Sequence, residues 1–236
     1  MLKRSKDRKV TNSVTPGGAA RGANSFGLPS GKPFSCPGAT SVCEQVCYAG
    51  KLEKIYSGVR NVLMHNWNLL KDADIPTMVV LLSDMIADFR AESVKRGDPL
   101  KFRIHWDGDF FSTNYAIAWA EVIITNPDIT FWVYTRSFFA VPALVNLPNL
   151  TVYLSVDSDN LQAAKITRKE YPSVKWAWLG NSFAEGNADM PKIGKSYDCP
   201  ENAGRIPLIT ERGSACVRCG VCVEGRGDVV FSVTKK

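Results

Sequence analysis

The sequence predicts an α/β fold, a partial (β/α)6 TIM-like barrel that carries a cysteine-rich C-terminal segment. Three observations predict it. From Lys101 onward, short β-type runs alternate with helical ones, the pattern of parallel strands joined by right-handed crossovers. Each β-type run ends in a polar cluster, as in barrels whose sites are built at the C-terminal ends of the strands. Seven cysteines fall into two groups, three near the start of the chain and four near its end.

Taken in order, the chain opens with a basic stretch. Lys3, Arg4, Lys6, Arg8 and Lys9 lead into Gly17, Gly18, Arg21 and Gly22, and residues 1–24 are expected to form a flexible arm. Such an arm could touch nucleic-acid phosphates or simply stay solvated. The ordered domain is expected to span 25–225, with its cysteine-rich part at about 199–225 and a tail at 226–236.

Cys36, Cys43 and Cys47 follow at once, spaced C-x6-C-x3-C. Three thiols do not complete a tetrahedral all-cysteine site, but they can hold a cubane by three irons and leave the fourth open. Completion by a distant cysteine, or a role as buried structural thiols, is the other way to read them. Leu52, Ile55, Tyr56, Val59, Val62, Leu63 and Trp67 then recur at three- and four-residue steps, predicting one helix to Leu70. His65 lies in it and is read as an ordinary side chain. A second helix starts at Pro76, which suits a first turn, and stops at Gly97.

The β-type runs are Phe102–Trp106, Thr130–Tyr134, Thr151–Ser155, Val174–Trp178 and Ile206–Ile209. Between them lie helical stretches at Tyr115–Ile124, around Phe138–Leu147 and at Leu161–Glu170. No glycine-rich phosphate loop follows any strand, which disfavours a doubly wound nucleotide-binding sheet. The polar clusters at the strand ends include Asp107, Gly108 and Asp109, then Thr135, Arg136 and Ser137, then Ser155 and Asp157, then Asn181, and last Thr210, Glu211 and Arg212. Ser112, Ser137 and Ser158 would serve as helix caps. Caps do not require Asp107, Asp109, Arg136 and Asp157, so these are read as a site at the barrel mouth.

Near the end, Cys199-Pro200 precedes Cys216, Cys219 and Cys222, spaced C-x2-C-x2-C, with Gly220 giving the backbone room for a tight wrap. Iron–sulfur clusters use runs of this kind with a remote fourth ligand. A four-cysteine zinc site also uses paired thiols at short spacing, although zinc ribbons carry two separate pairs. An odd number of cysteines points away from a disulfide framework. The 236 residues carry a net charge of +6, 45% hydrophobic and 22% charged residues, the composition of an ordinary globular domain. No apolar run reaches membrane-span length and no signal-peptide pattern opens the chain, so neither a membrane partner nor export is expected.

The motif order resembles a radical S-adenosylmethionine enzyme core. The resemblance implies that Cys36, Cys43 and Cys47 hold a [4Fe-4S] cluster, and that Asp109, Thr135, Arg136, Ser155 and Asp157 contact the cofactor. Cys199, Cys216, Cys219 and Cys222 would then hold an auxiliary cluster. The cysteine spacing departs from the usual x3 and x2 of that superfamily, Tyr48 follows the third cysteine instead of preceding it, and Asp109 stands where a glutamate is usual. The combination of Cys-Pro-Gly-Ala, Cys-Tyr-Ala, Gly-Asp-Phe, Tyr-Thr-Arg-Ser, Ser-x-Asp and the C-terminal cysteines more closely resembles the bacteriophage gene product 88 family, over roughly residues 25–225. This implies a phage-type iron–sulfur protein with one or two [4Fe-4S] clusters, acting in the host cytoplasm. It would be a radical enzyme of unspecified substrate, with S-adenosylmethionine as its small-molecule cofactor. The alternatives are a non-enzymatic cluster protein that binds nucleic acid through the basic arm or engages a host protein, and a zinc-stabilised binding protein.

Overall fold

The computed structural model describes residues 1–6, 9, 22–210 and 213–233. Its centre is one seven-stranded sheet, entirely parallel, built from β1 (Ser25–Gly27), β2 (Lys101–Asp107), β3 (Thr130–Thr135), β4 (Leu150–Val156), β5 (Lys175–Gly180), β6 (Ser196–Asp198) and β9 (Asp228–Ser232). The spatial order is β1-β2-β3-β4-β5-β9-β6. The first five strands are laid down in sequence without reversal, as in a barrel, but among the described residues β1 and β6 do not pair with each other. The α/β class and parallel sheet are as expected. The sheet has seven strands where six were expected.

The strand residues split cleanly by parity. Phe131 and Val133, Leu154 and Val156, Trp176 and Trp178, and Val230 point into one large core. They meet α4 (Ile75–Arg96) through Leu82, Met85, Ile86 and Phe89, and α5 (Thr113–Ile124) through Tyr115, Trp119, Val122 and Ile123. The shorter α6 (Val141–Leu144) and α7 (Leu161–Glu170) add Val141, Leu144 and Ala164. Each large apolar side chain buried here stabilises the fold by about 1.5–3 kcal/mol. Trp132, Tyr134, Tyr153, Ala177, Val229 and Phe231 point the other way and pack against Cys199, Cys216, Cys222 and Val223. Because both faces are covered, these strands read as nearly continuous apolar runs.

The helix ends follow local chemistry. Asp74 caps α4 by accepting from Thr77 N at 3.0 Å, and Gly97 closes it at φ 69°. Ser112 caps α5 through Tyr115 N. Ser137 makes no side-chain cap bond, and Asn160, not Ser158, sits at the N-cap of α7.

Several expectations are corrected. The helix read through to Leu70 is two, α2 (Tyr48–Ile55) and α3 (Ser57–Leu70), broken where Tyr56 turns extended and donates its N–H to Leu52 O. Apolar periodicity persists across the break, which hides it. The run Ile206–Ile209 supplies no strand to the seven-stranded sheet; among the described residues Ile209–Thr210 (β7) pairs with Gly213–Ser214 (β8) in a separate two-stranded one. The expected tail at 226–236 instead contains β9, which inserts between β5 and β6. Of the expected arm at 1–24, residues 1–6 lie against the sheet: Leu2 is buried, Lys3 exchanges hydrogen bonds with Asn66, and Ser5 N donates to Ser25 O at 2.7 Å. Arg8 and residues 10–21 of the arm, Glu211 and Arg212, and residues 234–236 of the tail lie outside the described residues. No described helix is long and apolar enough to cross a membrane.

Candidate metal centre and ligand cavity

The face opposite the helices holds a cavity of about 460 Å³ whose wall includes all seven cysteines, brought together from both ends of the chain. None of them is in a disulfide.

The first group is held by the loop after β1. Ser35 is fully buried; its hydroxyl donates to Pro29 O at 2.7 Å and accepts from Asp109 N at 3.2 Å, which fixes Cys36 beside the end of β2. Gly38 is pressed against β3: a Cβ there would lie 2.3 Å from Arg136 O, so no larger residue fits without moving the loop. Thr40 caps the short α1 (Ser41–Val46) by accepting from Cys43 N, and its hydroxyl donates to Asp157 Oδ2 at 2.6 Å. Cys43 in α1 and Cys47, at the non-helical junction between α1 and α2, both line the cavity. The Cys47 sulfur in turn accepts from Gly50 N at 3.3 Å, at the start of α2.

The second group hangs on β4 and β9. Cys199 N donates to Val230 O, and Asn202 grips Ser232 through both its side-chain oxygen and its nitrogen. Tyr153 is buried in the sheet and its hydroxyl reaches Gly227 O at 2.8 Å and Val221 O at 3.3 Å. Gly220, at φ 70°, caps the short α9 (Ala215–Cys219), the left-handed turn that the C-x2-C-x2-C run was expected to need. Burial pushes the thiols of Cys36, Cys43 and Cys199 up and takes that of Cys222 to about 12. Iron or zinc bound there would therefore displace protons from them.

The strand-end residues expected as cofactor contacts come together here, in different roles. Asp109, Arg136 and Ser155 line the cavity. Asp109 is almost fully committed: Oδ1 accepts from Thr135 Oγ1 at 2.6 Å and from Phe110 N, while Oδ2 accepts from the backbone N–H groups of Arg136 and Ser137. It ties the end of β2 to the end of β3. Thr135 and Asp157 sit behind the wall. Asp157 Oδ2 accepts from Arg136 Nη2 at 3.1 Å as well as from Thr40, so one carboxylate locks the cysteine loop to the guanidinium. Arg136 Nε is buried and has no partner among the described residues.

Sequence reasoning passed over Glu53, whose carboxylate accepts from Ser30 N at 2.8 Å and from Ser30 Oγ at 2.5 Å. Burial first, then the Glu53 charge, pushes the Asp107 carboxyl up to about 8. Nothing in the spacing of Glu53 and Asp107 links them. His105 also lines the cavity: burial drops it to about 3, Nε2 lies 3.1 Å from the Tyr115 hydroxyl, and Nδ1 is buried with no partner among the described residues. His65 Nε2 lies 3.0 Å from Met1 O, away from the cavity.

The thiols surround a space instead of converging on a point. Among the described residues, no three Cys, His, Asp or Glu side chains are gathered around a single metal-ion position. The donor set of thiols alone suits either zinc or an iron–sulfur cluster.

Comparison with known proteins adds relatives. The family described as Gene product 88 matches residues 1–225. The Gene 88 protein of Mycobacterium phage L5 is 52% identical over 241 residues, covering 100% of this chain and 99% of the relative. The Gene 88 protein of Mycobacterium phage D29 is 51% identical over 242 residues with the same coverage. No solved structure matches the chain.

Proposed function

This chain belongs to the gene product 88 family, and we propose that this member is an iron–sulfur protein with two cluster sites facing one ligand cavity. Cys36, Cys43 and Cys47 would form a three-thiol site with an open iron, and Cys199, Cys216, Cys219 and Cys222 a closed four-thiol site. The observation that carries the reading is that seven thiols from opposite ends of the chain line a single cavity without a disulfide. We take the singly wound parallel sheet as an opened relative of the barrel that radical S-adenosylmethionine enzymes use, with the candidate site at the same end of the strands.

On this reading the open cluster site with bound S-adenosylmethionine supplies one-electron reductive cleavage of a sulfonium. The chain's own part is positioning. Arg136, held by Asp157, presents a buried N–H to an anionic group such as the cofactor carboxylate. Asp109 keeps Arg136 in place through its backbone, and thus acts through its neighbours more than on the ligand. Ser155 offers a hydroxyl on the facing strand. Desolvation in the cavity strengthens each of these contacts.

The test is electron paramagnetic resonance of the anaerobically reconstituted, reduced protein with and without S-adenosylmethionine. A cluster signal perturbed by the cofactor, and no longer perturbed in Arg136→Ala, supports the reading. A signal indifferent to the cofactor would leave a non-enzymatic cluster protein.

A further inference from the structure

A second groove, of about 550 Å³, runs beside the cysteine cavity and shares Lys9, Tyr48 and Trp106 with it. Its wall is made by the N-terminal segment on one side and by α2 and α3 on the other. Three cations line it, Arg4, Lys6 and Lys9, and no carboxylate does among the described residues. Arg4 and Lys9 pair with Glu92 and Glu201, whose carboxylates lie outside the lining, while Lys6 is exposed. Three aromatic rings line it as well, and Lys9 Nζ lies over that of Tyr48, 5.7 Å from its centroid. Tyr48 and Tyr56 are 48% and 56% exposed, unusual for side chains of that size. Trp106 presents an Nε1–H that is buried and has no partner among the described residues. The remaining wall, Leu52, Val59 and Val62 among others, is apolar.

We propose that this groove binds single-stranded nucleic acid. Exposed aromatic faces set beside cations are what a flexible strand requires, since each base has a face to stack and each linkage a charge to neutralise. A duplex, with its bases already stacked inside, gains nothing from the rings. An acidic peptide would use the cations but leave the aromatic faces and the apolar floor without a match. This assignment is independent of what the cysteines hold.

Gly58 gives a clean way to close the groove. It lies in the lining, and a Cβ built there meets nothing within 4 Å, so Gly58→Trp places a ring in open space without disturbing the packing. The experiment is fluorescence anisotropy of the full chain with a labelled oligothymidylate, the same-length duplex and poly-glutamate as competitors, over a range of salt. The expected result is binding of the single strand in preference to both competitors, with log K falling against log salt at a slope of about −1, since Arg4 and Lys9 already hold carboxylates and Lys6 makes the phosphate contact. Tyr56→Ala is expected to weaken binding roughly tenfold. Gly58→Trp is expected to abolish it, with the far-ultraviolet circular dichroism unchanged, and Lys6→Glu to flatten the salt slope. Equal binding of duplex or poly-glutamate overturns the proposal. So does absence of binding, or binding that survives both Tyr56→Ala and Gly58→Trp, which would move the contact to another surface.

Discussion

The two faces of the sheet are covered by different means. One is packed by α4, α5 and α7, amphipathic helices whose side chains interdigitate with Phe131, Leu154, Trp176 and their neighbours. The other is covered by chain with little regular structure, namely the loop to Cys47 and the stretch from Cys199 to Gly227, held by polar ties such as Tyr153 to Gly227 O and Asn202 to Ser232. The helix face gains its stability from apolar burial and is complete with protein atoms alone. The cysteine face surrounds a cavity, and on the proposed reading its cohesion depends on what the thiols bind. Perturbations of the first should therefore act equally on stripped and loaded protein, and perturbations of the second should not.

The largest expected effects lie where the core itself is cut. Trp119→Ala empties a fully buried position of the helix face and should cost about 3–5 kcal/mol. Urea unfolding should give that loss with and without iron; a loss confined to loaded protein would erase the distinction between the faces. Asp228→Ala should cost somewhat less, about 2–4 kcal/mol, because it leaves the half-buried Arg168 guanidinium without its carboxylate. It also removes the acceptor of Trp176 N, so β9 would be loosened between its neighbours, and amide exchange should show the change first along β5 and β9.

Smaller effects should appear on the cysteine face. Tyr153→Phe keeps the ring but removes the hydroxyl that ties down the cysteine segment, for an expected loss of about 1–2 kcal/mol. Chelator treatment should enlarge the accompanying rise in proteolysis of the segment after Cys199 if bound metal carries part of its cohesion. A further effect concerns pH. Asp107 is held up to about 8 in the folded chain, against about 3.9 when unfolded. A carboxyl raised in this way binds its proton more tightly when folded. Its contribution is complete below the unfolded value and is lost as pH rises towards 8. Asp107→Asn should therefore flatten the decline in melting temperature between roughly pH 4 and 8, and an unchanged slope would show that Glu53 and burial do not act on Asp107 as described.

The same contrast explains what was legible in the sequence. The interior strands β2 to β5 and the helices α4, α5 and α7 stood out because burial on one or two faces writes a period into the residues. β9 escaped because its five residues follow directly on Gly225 and Gly227, a turn-like context that resembles a tail. β1 and β6, of three residues each, are too short to show any period. At the candidate site, Asp109, Arg136 and Ser155 were legible as charged or polar residues at strand ends, and the cysteines by spacing. The roles of Asp109 as a fastener and of Asp157 as the link between Thr40 and Arg136 were not, because they depend on partners far away in sequence. Glu53 looked like any polar position on a helix, and only the fold turns it inward to Ser30 and Asp107.

The central claim is that the two cysteine groups are separate metal sites on one cavity. Iron and acid-labile sulfide counted per chain after anaerobic reconstitution test it most directly, in the wild type and in two triple variants, Cys36/Cys43/Cys47→Ala and Cys216/Cys219/Cys222→Ala. The account predicts about eight irons in the wild type and about four in each variant. Loss of all iron from both variants would mean one cluster shared between the groups, and stoichiometric zinc with no sulfide would contradict the iron–sulfur reading altogether.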